Sequence, residues 1–366
     1  MPDLTTGVGG TGGHGGLLHA WRPLRLTPVL VEKPWGGRRL ERLSRTLPPG
    51  AAVGESWEVA DLDSTSTSVT DSATRVASGP HAGATLHDLI VRDPGAMLGD
   101  GWSDVARFPL LVKLLDAREA LSVQVHPPQG YVADHPGSHV KTETWVVLDA
   151  DPGAELLIGL VDGVTPDMLA DVAGTPGMLH LLRRVPAVPG TVFHLPAGLL
   201  HALGEGMLVA EVQTPSDTTF RLYDWSAEYA RPPRTLHLRE GLECVRIAWE
   251  HNVAPPPSPA VDATLLVDAP QYRLLRHPLA EGSRLRYPAG RARVLQVVEG
   301  RLGGEDLDGA LGPVDAVVLP AAWSGTLHAV GHATVLEAIP QRPATPNVPA
   351  TRRDPRLKSP REAPTR

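Results

Sequence analysis

Three short stretches carry side chains suited to holding a divalent metal. In Leu121-Ser-Val-Gln-Val-His-Pro127 an amide oxygen and an imidazole stand two residues apart, at Gln124 and His126. Glu143 opens the run Glu143-Thr-Trp-Val-Val-Leu148, and His201 lies in Leu195-Pro-Ala-Gly-Leu-Leu-His-Ala202. Two imidazoles, one carboxylate and one amide oxygen make a donor set that suits zinc. Such donors need rigid supports, which strands provide better than loops. The single cysteine, Cys244, excludes a thiolate cluster and an intrachain disulfide framework, and it agrees with a reducing, cytoplasmic setting.

The first stretch alternates strictly. Leu121, Val123 and Val125 fall on one side, and Ser122, Gln124 and His126 on the other. This is the pattern of a half-buried strand with period two. Further strands are expected at 54–60, 108–117, 143–150, 191–195, 207–214 and 218–224. A short helical segment is expected at 38–43. The stretch 84–98 reads as helical in parts, interrupted at Pro94. A helical excursion is expected over 165–185, with Thr165 as N-cap and Pro166 in the first turn, and another helix over 236–247. Many short strands separated by turns indicate a sandwich or small barrel, and a jelly roll with an interior metal site fits best.

The fold class expected is therefore mainly β, built of jelly-roll barrels with an inserted helical segment. Residues 1–20 read as a Gly-rich disordered lead, in which His14 is a linker residue. Residues 21–253 read as the metal-bearing unit. After the Pro-rich stretch 254–259, the strand-rich part up to 340 reads as a second β unit lacking the ligand set. The Pro- and Arg-rich 341–366 reads as a disordered tail. No close internal repeat is visible.

The chain of 366 residues is 42% hydrophobic and 20% charged, ordinary for a soluble globular protein. Its 37 glycines and 37 prolines suit many turns. A net charge of −7 argues against nucleic acid or an anionic membrane as partner. A local basic pocket could still take a small anion. No apolar run is long enough for a transmembrane helix, and no apolar segment behind a basic start suggests a secretion signal.

Several motifs in one order resemble the type I phosphomannose isomerases, zinc enzymes of the cupin superfamily. They are Gly54-Glu-Ser-Trp-Glu58, Phe108-Pro-Leu-Leu-Val-Lys-Leu-Leu115, the 121–127 stretch, Lys141-Thr-Glu-Thr-Trp145, Pro196-Ala-Gly-Leu-Leu-His-Ala-Leu-Gly204 and Glu211-Val-Gln-Thr-Pro-Ser-Asp-Thr-Thr-Phe-Arg-Leu-Tyr-Asp224. The match is to the short bacterial form and covers roughly residues 26–339. The resemblance implies zinc ligands at Gln124, His126, Glu143 and His201. It places Lys141, Glu211 and Arg221 around the sugar, and Lys113 and Ser122 where phosphate binds. It also implies a cytoplasmic aldose–ketose isomerase acting on a sugar phosphate, as monomer or homodimer. One departure follows His126: Pro127-Pro-Gln-Gly-Tyr131 stands where related chains often carry acidic residues, and the loop onward holds His135 and His139.

Moving hydrogen between C1 and C2 of a sugar needs an acid and base near those carbons and a stabiliser for the oxyanion. Zinc can stabilise the charge without redox change. Competing readings are a non-catalytic sugar-binding or regulatory metal cupin and a cupin oxygenase. Lys141, Glu211 and Arg221 beside the four ligands disfavour the first. The Gln and the lone Glu disfavour the second. Individually, Arg221 could be an ion-pair partner of Asp217 or Asp224. Lys113, in an apolar strand, needs an anionic partner. Trp35, Trp57 and Trp145 read as packing residues, His194 and His237 as structural, and Cys244 as an inert core group.

Overall fold

The computed structural model describes residues 21–43, 45–63, 67, 69, 70, 72–247, 253, 254 and 263–342. The Gly-rich lead with His14, the Pro-rich 255–259 and the tail beyond 342 lie outside the described residues. The chain is mainly β, in four sheets stacked as layers. A front sheet runs in the order Phe220–Tyr223, Val123–Val125, His201–Ala202, Glu155–Leu160 and Leu182–Pro186. A middle sheet runs Val253–Ala254, Val192–Leu195, Glu143–Ala150, Met207–Gln213, Leu111–Ala117, Val29–Gly37 and Val53–Val59. A rear sheet runs Thr264–Asp268, Tyr272–Leu279, Ala333–Pro340, Arg293–Glu299, Ala316–Leu319, Leu24–Thr27 and Arg75–Val76. Three short strands, Arg284–Tyr287, Gly325–Ala329 and Leu302–Gly303, close over the rear sheet.

The middle sheet is covered on both sides. Val112, Leu114, Val146, Ala210 and Val212 turn rearward into a core shared with Leu274, Val294, Leu336 and Ala338. Their neighbours Lys113, Trp145 and Glu211 turn forward, opposite one another across three strands. Each strand thus has an apolar face against the rear sheet and a mixed face toward the front sheet. Tyr272 joins the layers: its hydroxyl donates to Val212 O at 3.1 Å and lies 2.7 Å from Thr144 Oγ1.

The front strand Val123–Val125 is buried on both sides, not half-buried as its alternation predicts. Ser122, Gln124 and His126 face the middle sheet. Val123 and Val125 face a second core built with Leu169, Met178 and Cys244. That core is the helical excursion folded back over the barrel. Helix Pro166–Val172 starts as expected, with Thr165 Oγ1 accepting from Met168 N at 3.2 Å. The excursion ends earlier than expected: Leu182–Pro186 is a strand paired to Glu155–Leu160. Pro94 begins a second helix instead of merely interrupting one, because Asp93 both ends Leu86–Arg92 and caps Pro94–Leu98. The 236–247 helix shortens to Leu238–Cys244, and Gln129–Asp134 adds a turn of helix that the sequence reading lacks.

The boundary expected near residue 254 divides the chain less cleanly than the spacing suggests. Ala254 pairs with Val192 in the middle sheet. Leu24–Thr27 crosses to the other side and pairs with Ala316–Leu319 of the rear sheet.

Candidate active site and metal centre

The front and middle sheets face each other across a cleft, and register fixes which side chains meet there. On the front sheet, Gln124 stands between His201 and Arg221 on its two neighbouring strands. On the middle sheet, Glu211 stands between Lys113 and Trp145. Lys141, Glu143 and Trp145 share a face by the period of two. The strand carrying His201 is entered by a loop bent back on itself at Gly198, whose φ of 93° only glycine adopts freely. Gly198 N donates to His126 O at 2.9 Å, which ties the His201 loop to the strand end carrying His126.

His126, Glu143 and His201 are buried and their donor atoms converge within 4.8 Å of one another. His126 Nε2 is 3.3 Å from Glu143 Oε2, and His201 Nε2 is 3.0 Å from Oε1. The other ring nitrogens are engaged behind: His126 Nδ1 meets Thr218 O at 3.0 Å and His201 Nδ1 meets Leu199 O at 2.8 Å. A carbonyl only accepts, so each Nδ1 carries a proton and each Nε2 is the nitrogen turned toward Glu143. Burial and the Lys141 charge push the His126 imidazole down to about 3, keeping it neutral. The His126 Nε2 lone pair therefore points at the Glu143 carboxylate, and neither this nitrogen nor the two carboxylate oxygens have a hydrogen-bond partner. The neutral His126 nitrogen and a carboxylate oxygen repel at this range, which a cation held among the three donors relieves. The residues fit a divalent metal, with back-side carbonyls fixing ring orientation as ligating histidines require.

Gln124 borders the same point, its amide nitrogen 3.3 Å from His201 Nε2 and its oxygen accepting from Ser122 Oγ at 3.2 Å. Turning the amide over exchanges two atoms of nearly equal size and would aim the oxygen at the histidine cluster. Lys141 Nζ lies 2.8 Å from Glu143 Oε2. Its charge and the imidazoles outweigh burial and hold the Glu143 carboxyl well below the usual range.

Beside this cluster the cleft is lined by Ser122, Lys113, Lys141, Glu211 and Arg221, all anticipated from sequence. Glu211 Oε1 accepts from Trp145 Nε1 at 2.8 Å. Burial and the Glu143 charge push its carboxyl up to about 7. Arg221 makes no ion pair among the described residues, and its Nε is buried without a partner. Asp224, one candidate mate, pairs instead with Arg234 at 2.5 Å. Lys113 finds the anionic partners its burial demands within the chain: Glu55 at 3.1 Å, Glu211 at 3.7 Å and Asp217 at 3.8 Å. Trp57 and Trp145 are fully buried, Trp57 beneath Lys113 and Trp145 edge-on to the His201 ring. Trp35 is buried and also reaches the cleft wall.

Sequence reasoning missed Lys33, Glu55, Asp217, Thr219 and Arg234 as cleft residues. Glu55 was legible: it sits in a quoted motif, two residues from Trp57, whose indole donates to it at 2.7 Å. Arg234 carried no signal, because it reaches the cleft from a loop outside every motif.

Comparison with known proteins places these features in company. Residues 24–146 match the profile of the catalytic domain of type I phosphomannose isomerase. Mannose-6-phosphate isomerase of Streptococcus mutans is 31% identical over 270 residues, covering 73% of this chain and 82% of that protein. The probable mannose-6-phosphate isomerase GmuF of Bacillus subtilis is 38% identical over 236 residues, covering 64% and 71%. A crystal structure of mannose 6-phosphate isomerase from Bacillus subtilis superposes with a TM-score of 0.71 at 27% identity, covering 87% of this chain and 99% of that one.

Proposed function

The chain belongs to the type I phosphomannose isomerase family and is an isomerase, and from that premise we propose that it interconverts D-mannose 6-phosphate and D-fructose 6-phosphate through a cis-enediol, with zinc held by Gln124, His126, Glu143 and His201. The observation that carries this is the convergence of two imidazole Nε2 atoms on the Glu143 carboxylate, beside the cleft that holds Glu211 and Arg221. When bound, zinc supplies a fixed positive charge that stabilises negative charge on the sugar oxygens without redox change. Every proposed functional residue falls within 21–253.

The chain's own groups divide the remaining work. Glu211 holds Oε1 on Trp145, and Oε2, 3.7 Å from Lys113 Nζ, is the oxygen left for chemistry. Its raised carboxyl titrates near neutrality, where a general base works best. As a carboxylate it takes the proton from C2 of the aldose and returns it to C1, while the hydroxyl proton passes from O2 to O1 of the enediolate, and the reverse reaction runs the same path. Arg221, charged and without a carboxylate mate among the described residues, stabilises the enediolate oxygen. Lys141 keeps Glu143 ionised and donates toward the sugar hydroxyls. Ser122 and Lys113 contact the phosphate; because Lys113 is already shared by three carboxylates, Arg234 and Lys33 at the same cleft supply additional positive charge. Among the described residues, no helix is long and apolar enough to cross a membrane. We place the enzyme in the cytoplasm, as monomer or homodimer.

The test is a coupled assay of the purified protein with mannose 6-phosphate, before and after chelation and after zinc is restored. Turnover should vanish on chelation and return with zinc. Full activity in metal-free protein would remove zinc from the proposal. Equal turnover of mannose and its 6-phosphate would remove the phosphate contacts, since remote binding should position the reacting carbons.

A further inference from the structure

A second hollow lies away from the cleft, at the seam between the middle and rear sheets, with a volume of about 410 Å³. Four arginines line it: Arg25 on Leu24–Thr27, Arg42 on the short helix Arg39–Leu43, Arg45 just beyond, and Arg301 in a turn of the rear unit. Two have carboxylate partners. Arg25 pairs with Asp315 at 2.6 Å and Arg45 with Glu58 at 2.7 Å. Arg42 and Arg301 have no ion pair among the described residues, and both are exposed. Arg45 Nε is buried without a hydrogen-bond partner. This excess of positive charge stands out in a chain whose net charge is −7.

The wall opposite Arg45 is held in a conformation that sequence alone disfavours. Val314 adopts φ of 64°, in the left-handed region, where a β-branched residue is an outlier. Its side chain is buried, its N donates to Val297 O at 2.7 Å, and its carbonyl accepts from Arg45 at 3.3 Å. Asp315, next in the chain, accepts from Gly312 N at 3.0 Å while holding Arg25. Strain of this kind persists where the surroundings over-determine it, and it collects at binding sites.

We propose that this hollow is a binding site for a small phosphate-bearing anion, distinct from the active cleft, gripped by Arg42 and Arg301 with Arg25 and Arg45 behind. Guanidinium groups cannot lose their charge and present paired donors that match phosphate oxygens. The charges of Arg42 and Arg301, neither in an ion pair among the described residues, suit a dianion, and the volume admits a phosphate ester as readily as free phosphate. An anion there bridges the two units, since Arg42 and Arg45 belong to one and Arg301 to the other. Binding to the folded state alone raises thermal stability by mass action.

The experiment compares wild type with Arg42→Gln/Arg301→Gln by calorimetric titration and thermal melting, at ionic strength matched with sodium chloride. One arm uses inorganic phosphate and the other fructose 6-phosphate. In at least one arm, wild type should show one more site than the double variant and a rise in melting temperature that the variant lacks. The arm that shows it names the source, free phosphate or ester. Each single variant should weaken the extra site by about tenfold. Turnover of mannose 6-phosphate without added anion should be unchanged in the variants, which also shows that they fold. Equal site numbers in wild type and double variant, in both arms, would overturn the proposal and leave the isomerase reading untouched.

Discussion

The two barrel interiors of this molecule share an architecture and differ in what fills them. Between the front and middle sheets, inward positions hold Glu55, Lys113, Gln124, His126, Lys141, Glu143, His201 and Glu211, all buried. Between the rear sheet and its three-stranded cover, the core is Leu295, Val297, Leu319, Leu327 and Val335 with Tyr287 and Trp323. Charge in the second interior collects in one group, where Glu337 meets Arg293 at 3.0 Å and His277 at 2.7 Å. Buried charge costs free energy unless paired, and well-packed apolar groups would stabilise at least as well. The contrast therefore locates function: the front interior keeps groups that stability alone does not favour, and the rear interior with the shared core supplies the cohesion that tolerates them.

The largest expected effect comes from Glu143→Ala. Loss of the charged donor should strip the metal, measured as zinc per chain, and lower kcat/KM by on the order of 1,000-fold or more. It also leaves Lys141 buried without its nearest partner, which should cost about 3–5 kcal/mol of stability. Stoichiometric zinc in a folded His126→Ala/Glu143→Ala variant would break the assignment. Arg221→Ala sharpens it. That variant should keep zinc and fold and lose about 100- to 1,000-fold in kcat, with lysine rescuing only in part because a point charge lacks the planar fork. A raised KM with unchanged kcat would make Arg221 a binding residue instead.

The rear interior should respond the opposite way. Leu295→Ala creates a cavity in a fully buried site and should cost about 2–5 kcal/mol by denaturant unfolding, while kcat below the melting range stays as in wild type. A matching fall in kcat would show that the two interiors are not separable.

The smallest effect concerns Glu58, which lies behind the cleft strand and pairs with Arg45. Burial pushes its carboxyl from 4.5 up to about 7. The folded state then holds a proton that the unfolded state has released, so Glu58 lowers stability as pH rises from about 4.5 to 7. The full effect is about 3 kcal/mol. Glu58→Gln should flatten the dependence of unfolding free energy on pH across that window. An unchanged slope would mean that the Arg45 and Ser56 contacts keep Glu58 ionised throughout.

The site was far more legible than its surroundings. Gln124 and His126 share a face because a strand repeats every two residues, and Lys141 and Glu143 follow the same rule. The strand 182–186 was misread because Leu-Arg-Arg-Val spaces its apolar residues as a helix does. Only pairing with Glu155–Leu160 makes it a strand. Lys113 announced that it needed a counter-charge, and only the fold named Glu55, Glu211 and Asp217.

By itself the sequence determined the kind of donors, their order and their side of each strand, because these are local consequences of residue type and backbone period. It also determined that the protein is built of many short strands. The tertiary structure alone decided which strands face each other, and so which distant groups share a cleft. It decided that both faces of the middle sheet are buried, that Leu24–Thr27 completes the rear sheet, and that four arginines from three separate segments line one hollow. Those outcomes depend on register and layer packing between segments far apart in the chain, and no local pattern encodes that.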